Sequence, residues 1–449
     1  MSGRWDRERV LAVAPDAAAA KAAAGVARAA SWAGTGCDDA AVWGECAGSG
    51  RTAYRAAVDL DEPAYRCSCP SRKFPCKHAL GLLLLWSEGA VESGPRPGWA
   101  AEWIEQRRDR AEKARERRQA AAAKARDPRT AERREQRVDG GVAELDQWLR
   151  DQVAHGLAQA EKAPYRLWDD AARRLVDAQA GALAGQVKGL AAIPRQAGWP
   201  DRLLEEYALL RLLVRAYQRR EELPPGLRET VRSRVGFTVQ QEEVLRDGER
   251  VRDSWHVIGS RDVAQDQLTT RRVWLRGRES GRPALVLSFA APGRPLDASL
   301  PAGARVEAEL AFYPGAQPLR ALVADRLATT PAGAGAGVPA GLTVGAFLDE
   351  YAAALGRDPW LDRWPALLSG VRLARNGGPR IVDAHGDALP LLSAEPWRLL
   401  AVSGGAPVTF AGEWSPRGLL PLAAWAEGAA GGEGEGAGGE DGDEGVVIL

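Results

Sequence analysis

Residues 64–79 read Ala-Tyr-Arg-Cys67-Ser-Cys69-Pro-Ser-Arg-Lys-Phe-Pro-Cys76-Lys-His78-Ala, and they hold three of the five cysteines of the chain. Three thiols and one imidazole fall within twelve residues of sequence. A structural zinc ion takes four such ligands in a tetrahedron, and three cysteines with one histidine form one of its closed sets. The stretch therefore predicts one structural Zn²⁺ held by Cys67, Cys69, Cys76 and His78.

The spacing within the stretch supports this prediction. Cys67 and Cys69 lie two apart, so on an extended segment both side chains point to the same side. Pro75 favours a helix start, which places Cys76 at the positive end of the helix dipole and His78 in the first turn. The apolar run from Ala79 to Trp86 then predicts a core helix behind the site. The competing interpretation is a set of reduced buried cysteines beside an unrelated histidine.

The order Cys-x-Cys, spacer, Cys-x-His resembles the SWIM zinc finger. The preceding words Trp-Gly-Glu-Cys (43–46), Gly-Ser-Gly (48–50) and Asp-Leu (59–60) are also similar to bacterial SWIM zinc finger family proteins, and the resemblance covers residues 41–86. It implies a zinc-dependent module that binds DNA or protein. SWIM modules accompany chromatin-type ATPases, Mutator-type transposases and recombination accessory proteins, but this sequence has no ATPase motor motif.

Four basic residues accompany the ligands, and no acid lies between Pro63 and Ser87. Their cations are candidates for contacts to phosphates of a nucleic acid or to another partner. The alternative is local charge compensation, because three thiolates around a divalent ion leave one negative charge. Both interpretations stay open for Arg66, Arg72, Lys73 and Lys77.

The composition bounds the class of protein. The chain has 449 residues, 45% hydrophobic and 27% charged, with 60 basic and 60 acidic residues. This is an ordinary globular mixture long enough for about three domains. The N-terminus has no secretory pattern, and no apolar run approaches the roughly 20 residues that cross a bilayer. We therefore expect a soluble cytoplasmic protein with no membrane partner, in which five cysteines remain reduced.

Periodicity predicts an α+β multidomain fold: a small ββα-like zinc finger near the N-terminus, then a helical domain, then a β-rich and mixed C-terminal region. Within the last part, residues 344–373 are expected to be helical and residues 399–402 to form a strand. The predicted ranges are an N-terminal domain 1–92 with the finger at about 41–86, a charged helix or linker 93–140, a helical domain 141–235, a β-rich domain 236–330, a linker 331–342, a mixed α/β domain 343–425, and an acidic, glycine-rich disordered tail 426–449.

The functional prediction is a non-enzymatic, zinc-dependent nucleic-acid-binding module, with DNA as the first candidate. The alternative is a zinc-dependent scaffold or adaptor for protein partners. Nucleotide-binding, metalloprotease and serine-hydrolase motifs are absent, so no small-molecule substrate is indicated. The Asp383-Ala-His385-Gly-Asp387 segment offers metal-like groups, but a turn is the favoured interpretation. We expect Cys76→Ser or His78→Ala to unfold residues 41–86.

Overall fold

The structure is a computed structural model. It describes residues 5, 7–14, 17–48, 52–60, 64–71, 75–126, 128–265, 268–291, 296–333, 335–375, 377–393, 396–426 and 446–448. The chain divides into two units, residues 1–130 and 131–449. No helix among these described residues is both long and apolar enough to span a membrane.

Unit 1 is built on a four-stranded antiparallel sheet with strand order β1-β2-β3-β4. The strand-like runs on either side of Gly-Ser-Gly (48–50) predict a hairpin. The pairing of Cys46 with Tyr54 confirms it. The predicted ββα unit is thus part of a larger sheet, because β1 and β4 flank the hairpin. The elements are α1 (Arg7–Ala12), α2 (Ala17–Val26), a 3-10 turn (Ala29–Ser31), β1 (Trp32–Cys37), β2 (Ala41–Cys46), β3 (Tyr54–Asp59), β4 (Ala64–Cys67), α3 (Lys77–Ser87) and α4 (Gly98–Arg126).

Helices cover both faces of this sheet. On one face, Val42 and Val58 pack in a buried cluster with Leu80, Leu83 and other α3 residues. On the opposite face, Trp43 and Ala57 pack against Ala100 and Ile104 of α4. The alternation of side chains along β2 and β3 produces this division. The predicted core helix behind the cysteine segment is confirmed, since every residue from His78 to Trp86 is buried.

Unit 2 begins with helices that bury a common core, in which Trp168, Tyr207, Leu210 and Tyr217 are at most 3% exposed. The predicted boundary at residue 140 does not interrupt the backbone, because one helix runs through it, and the charged segment before it is helical. The helices are α5 (Pro128–His155), α6 (Arg166–Asp177), α7 (Gly181–Leu190), α8 (Trp199–Gln218), α9 (Pro225–Val235) and α10 (Gln241–Asp247), with 3-10 turns at Leu157–Glu161, Ile193–Arg195 and Arg220–Glu222.

A closed five-stranded barrel follows, with strand order β5-β6-β7-β9-β8. Only β7 and β9 pair in parallel. This is the strand order of an OB fold, a small Greek-key barrel. β5 is long enough to pair with β8 through its first half and with β6 through its second, with a shift of register at Gly259. The strands are β5 (Glu249–Gln265), β6 (Leu268–Gly277), β7 (Pro283–Ala290), β8 (Arg305–Phe312) and β9 (Arg320–Thr330).

The C-terminal part is a six-stranded sheet, in the order β12-β11-β10-β13-β14-β15, with two helices. Three adjacent strands of this sheet contact the barrel through a cluster that contains Ile258, Trp274, Leu422 and Trp425. Trp274 Nε1 also donates a hydrogen bond to Glu413 Oε2 at 2.9 Å. The elements are α11 (Val344–Arg357), β10 (Trp364–Arg375), β11 (Pro379–Val382), β12 (Ala388–Pro390), α12 (Trp397–Ser403), β13 (Val408–Ser415), β14 (Gly418–Ala426) and β15 (Val446–Ile448).

Three predictions for this part were wrong. Helix ends at Arg357, and residues 364–373 belong to β10, a buried strand whose continuous apolar run lacks a period of two. Residues 399–402 lie in α12, which ends where Gly404 adopts the left-handed conformation. The predicted disordered tail 426–449 begins on a residue of β14 and contains β15, which pairs with β14. The rest of that predicted tail, 427–445 and 449, lies outside the described residues.

Candidate metal centre

The predicted ligands come from three consecutive pieces of unit 1. Cys67 is the last residue of β4, and Cys69 follows in the loop. Cys76 occupies the N-cap of α3, and His78 is the second residue of that helix. Cys76 and His78 are buried, at 3% and 5% exposure, whereas Cys67 and Cys69 are half-buried. Strand, loop and helix start thus converge on one point.

The four ligand atoms fit a tetrahedral zinc ion. All of them lie within 4.8 Å of one another, and Cys67 Sγ is 3.8 Å from His78 Nδ1. Zinc–sulfur bonds near 2.3 Å and zinc–nitrogen bonds near 2.0 Å in a tetrahedron place neighbouring ligand atoms about 3.5 to 3.8 Å apart. The arrangement therefore needs only a small contraction to accept the ion, and it supports one structural Zn²⁺.

One thiol of the cluster differs from the other two in the direction in which its pKa is shifted. The hydrogen bond donated by the Cys67 thiol lowers the pKa of Cys76 to about 3, and His78 acts in the same direction. The same hydrogen bond, followed by burial, raises the pKa of Cys67, and burial raises the pKa of Cys69. Since zinc is bound by thiolates, Cys67 and Cys69 would hold the ion in their deprotonated form.

Two neighbours of the cluster come from the sheet. The Tyr54 ring lies over the His78 ring, with centroids 4.9 Å apart. Cys46 is 1% exposed, and burial raises the pKa of its thiol. The sequence interpretation missed Tyr54, although the register of the predicted hairpin places it on the α3 face together with Ala56 and Val58. Cys37 and Cys46 are buried, as expected for cysteines outside the ligand set.

The four basic residues do not form a single described patch. Lys77 is exposed between two ligands. Arg66 is also exposed, but it pairs with Ala57, so its side chain is on the α4 face of the sheet while Cys67 is on the α3 face. The predicted contacts Arg72 and Lys73 lie outside the described residues.

The acidic segment near residue 385 is a turn, as favoured by the sequence. Asp383 accepts hydrogen bonds from the backbone N–H groups of Val344, His385 and Asp387. These bonds use its carboxylate oxygens to hold the turn together. Among the described residues, the side chains of this segment do not belong to a group that could hold a metal ion.

Comparison with known families gives two matches. Residues 57–86 match the model of the SWIM zinc finger, which includes all four ligands. The chain therefore contains a SWIM zinc finger. Residues 133–235 match the SWIM-associated four-helix bundle domain, which corresponds to most of α5 and to α6–α9. Thus a SWIM finger and its associated bundle occur together on this chain. No curated protein and no solved structure matches it.

Proposed function

We propose that this SWIM finger protein binds nucleic acid, with DNA as the first candidate, through the edge of its finger. The main observation behind this proposal is the position of Lys77. It is the first residue of α3, lies between two zinc ligands and is exposed. It forms no ion pair with a carboxylate among the described residues, so its charge is available to a phosphate. The helix start adds the positive end of the α3 dipole at the same place.

The edge strand brings a second cation within reach. β4 is the last strand of the sheet and, within the described part of the chain, pairs only with β3. Arg66 and Lys77 belong to different faces, but a ligand that follows an edge strand can contact side chains from both. A phosphate backbone has charges at regular intervals and suits such a line of contacts. Local compensation of the zinc site alone requires one cation, fewer than the chain supplies there.

The finger's zinc is proposed to be structural, and the protein to have no enzymatic activity. A catalytic zinc keeps one coordination position for water or substrate, whereas four protein ligands fill the tetrahedral shell. With that shell closed, the ion would stabilise the start of α3, where Lys77 lies. The chemistry of the site is then the binding of a partner.

The test is the salt dependence of DNA binding by the full-length zinc-loaded protein. Labelled duplex is titrated between about 50 and 200 mM salt, and the slope of log affinity against log salt is measured. Lys77→Gln should reduce the magnitude of this slope by about 0.9, the value for one lost phosphate contact. Lys21→Gln is the matched control, because Lys21 is an exposed lysine on α2.

Two results would contradict the proposal. One is wild-type protein that shows no salt-dependent binding to duplex or single-stranded DNA. The other is an equal slope for the Lys77 and Lys21 variants. Recovery of a stoichiometric protein partner without nucleic acid would instead favour the scaffold function.

A further inference from the structure

The outer face of the barrel is only partly covered by the C-terminal sheet. Three rows of paired residues cross β5, β6 and β7. Trp274 and Leu285, in the row that begins at Gly259, are at most 9% exposed and pack against the C-terminal sheet. The next rows are Arg261–Arg272–Leu287 and Val263–Thr270–Phe289. In the last row Phe289 is 50% exposed, so the cover ends before it.

A cleft of about 390 Å³ opens beside these rows, between the barrel and the C-terminal part of the same unit. Ser260 and Arg261 of β5 form one wall, and Leu391, Arg398 and Leu422 belong to the other. Among the described residues, its lining includes two arginines and no carboxylate. The walls are otherwise mostly leucine and proline, so the cleft suits an anionic group attached to an apolar one.

Arg261 is one of the two arginines that give the cleft its positive charge. The residue is half-buried, and its side chain forms neither a hydrogen bond nor an ion pair with another described residue. A cation that is partly removed from water without a partner is destabilising. An anion in the cleft would provide the missing partner. The cleft therefore favours a ligand with a negative charge.

We propose that this open half of the barrel face, with its cleft, binds a single-stranded nucleic acid. A base stacks on Phe289 and a phosphate lies against Arg261. Strand spacings of about 4.8 Å and rises of about 3.4 Å per residue put the two Cα atoms about 12 Å apart, so one ligand must extend over more than one nucleotide to contact both. The site is separate from the finger and does not rest on the function proposed for it.

The exposed aromatic ring decides between a single strand and other anions. Bases in a duplex are stacked on one another, so their faces are not available to Phe289, whereas unpaired bases stack on such rings. A free phosphate would use the cleft alone. Barrels of this topology bind oligonucleotides or oligosaccharides on the face of their second and third strands, here β6 and β7. That topology shows the fold alone, and the residues of the open rows carry the argument.

The experiment uses the full-length zinc-loaded protein and a fluorescent oligo-dT of about 12 nucleotides, within the usual site size of such barrels. Phe289→Ala and Arg261→Ala should each weaken binding about tenfold, and Arg261→Ala should also reduce the salt slope by about 0.7. The matched controls should stay within about twofold of the wild type. These are Leu327→Ala, an exposed apolar residue of β9, and Arg252→Ala, an exposed arginine of β5 outside the cleft.

Several outcomes would overturn the proposal. If neither variant changes oligo-dT binding, the proposed barrel site is wrong. If Lys77→Gln weakens binding in the same assay, the function proposed for the finger still stands. Competition by duplex DNA as effective as that by oligo-dT would also contradict it. The proposal would also be contradicted if free thymidine monophosphate bound as tightly as the oligonucleotide and if Arg261→Ala, but not Phe289→Ala, abolished this binding. Loss confined to the two open-face variants supports the barrel site alone.

Discussion

The finger and the helical bundle are held together by different means. All five cysteines of the chain lie between residues 37 and 76, in unit 1, and unit 2 has none. The finger's loop joins strand to helix through the four ligands at the metal centre. The bundle instead relies on large side chains such as Trp168 and Tyr217, which are 2% and 0% exposed. Loss of the ion should therefore affect one region and leave the other unchanged.

The finger and the bundle also differ in how the residues that specify them are distributed along the sequence. The ligand set occupies twelve consecutive residues, so a short pattern specifies the site. The core of the bundle draws residues from Val138 to Val235 and includes Trp360 from the chain beyond the barrel. No short motif specifies such a core. The predictions below test whether stability follows the same division.

Metal removal should have the largest effect. Structural zinc contributes about 10 to 16 kcal/mol of apparent folding free energy in finger peptides. A chelator, or His78→Ala, should therefore abolish amide exchange protection in residues 41–86 of the full chain while α6 and α8 remain protected. Hydrogen-exchange mass spectrometry resolves these segments. His155→Ala is the control, since His155 is an exposed histidine on α5. Equal exchange of residues 41–86 with and without chelator would show that the metal is dispensable.

Truncation of Trp168 should have the next largest effect. This effect should fall in the helical bundle and not in the finger. Removal of a buried tryptophan side chain costs about 3 to 5 kcal/mol because it leaves a cavity. Trp168→Ala should lower the free energy of opening measured by exchange of α8 amides by about that amount, with or without chelator. Trp397→Ala, at 58% exposure, should change it by less than about 0.5 kcal/mol. Similar effects of the two variants would contradict the assigned core.

Two adjacent glycines of α5 should give the smallest effects, with opposite signs. A Cβ at Gly141 would lie 2.4 Å from Ala178 Cβ, whereas a Cβ at Gly140 would meet nothing within 4 Å. Gly141→Ala should therefore destabilise the bundle by about 1 to 3 kcal/mol through overpacking. Gly140→Ala should stabilise it by about 0.5 to 1 kcal/mol, since alanine is the better helix former. Chemical denaturation of the two variants measures both, and effects of equal sign would mean that the helix contact is not as described.

The sequence predicted the metal ligands because their chemistry is local. The sequence did not predict β1, because its stretch Trp32–Cys37 contains Gly34 and Gly36 and lacks a strand pattern. The β-rich region was recognised, but its barrel depends on the parallel pairing of Leu285 with Arg320, which no local pattern encodes. Strand β10 was taken for a helix because its buried faces leave a continuous apolar run. In each case the determinant was a long-range contact.

The candidate binding residues show the same limit. Lys77, a candidate contact, is exposed, but Arg66 was grouped with it although the alternation along β4 puts Arg66 on the other face. That distinction follows from the sequence once the strand is assigned. The open face of the barrel, by contrast, depends on where the C-terminal sheet ends on it. Arg261 and Phe289 were therefore not recognisable as neighbours.

The double cover of the finger's sheet restricts how this module meets another molecule. Because α3 lies on one face and α4 on the other, the edge strand β4 is left as a margin of the sheet that another molecule can reach. A polyanion on that margin meets only a few charges, and few contacts give a short residence time. Such a footprint suits rapid sampling of many positions along a polymer.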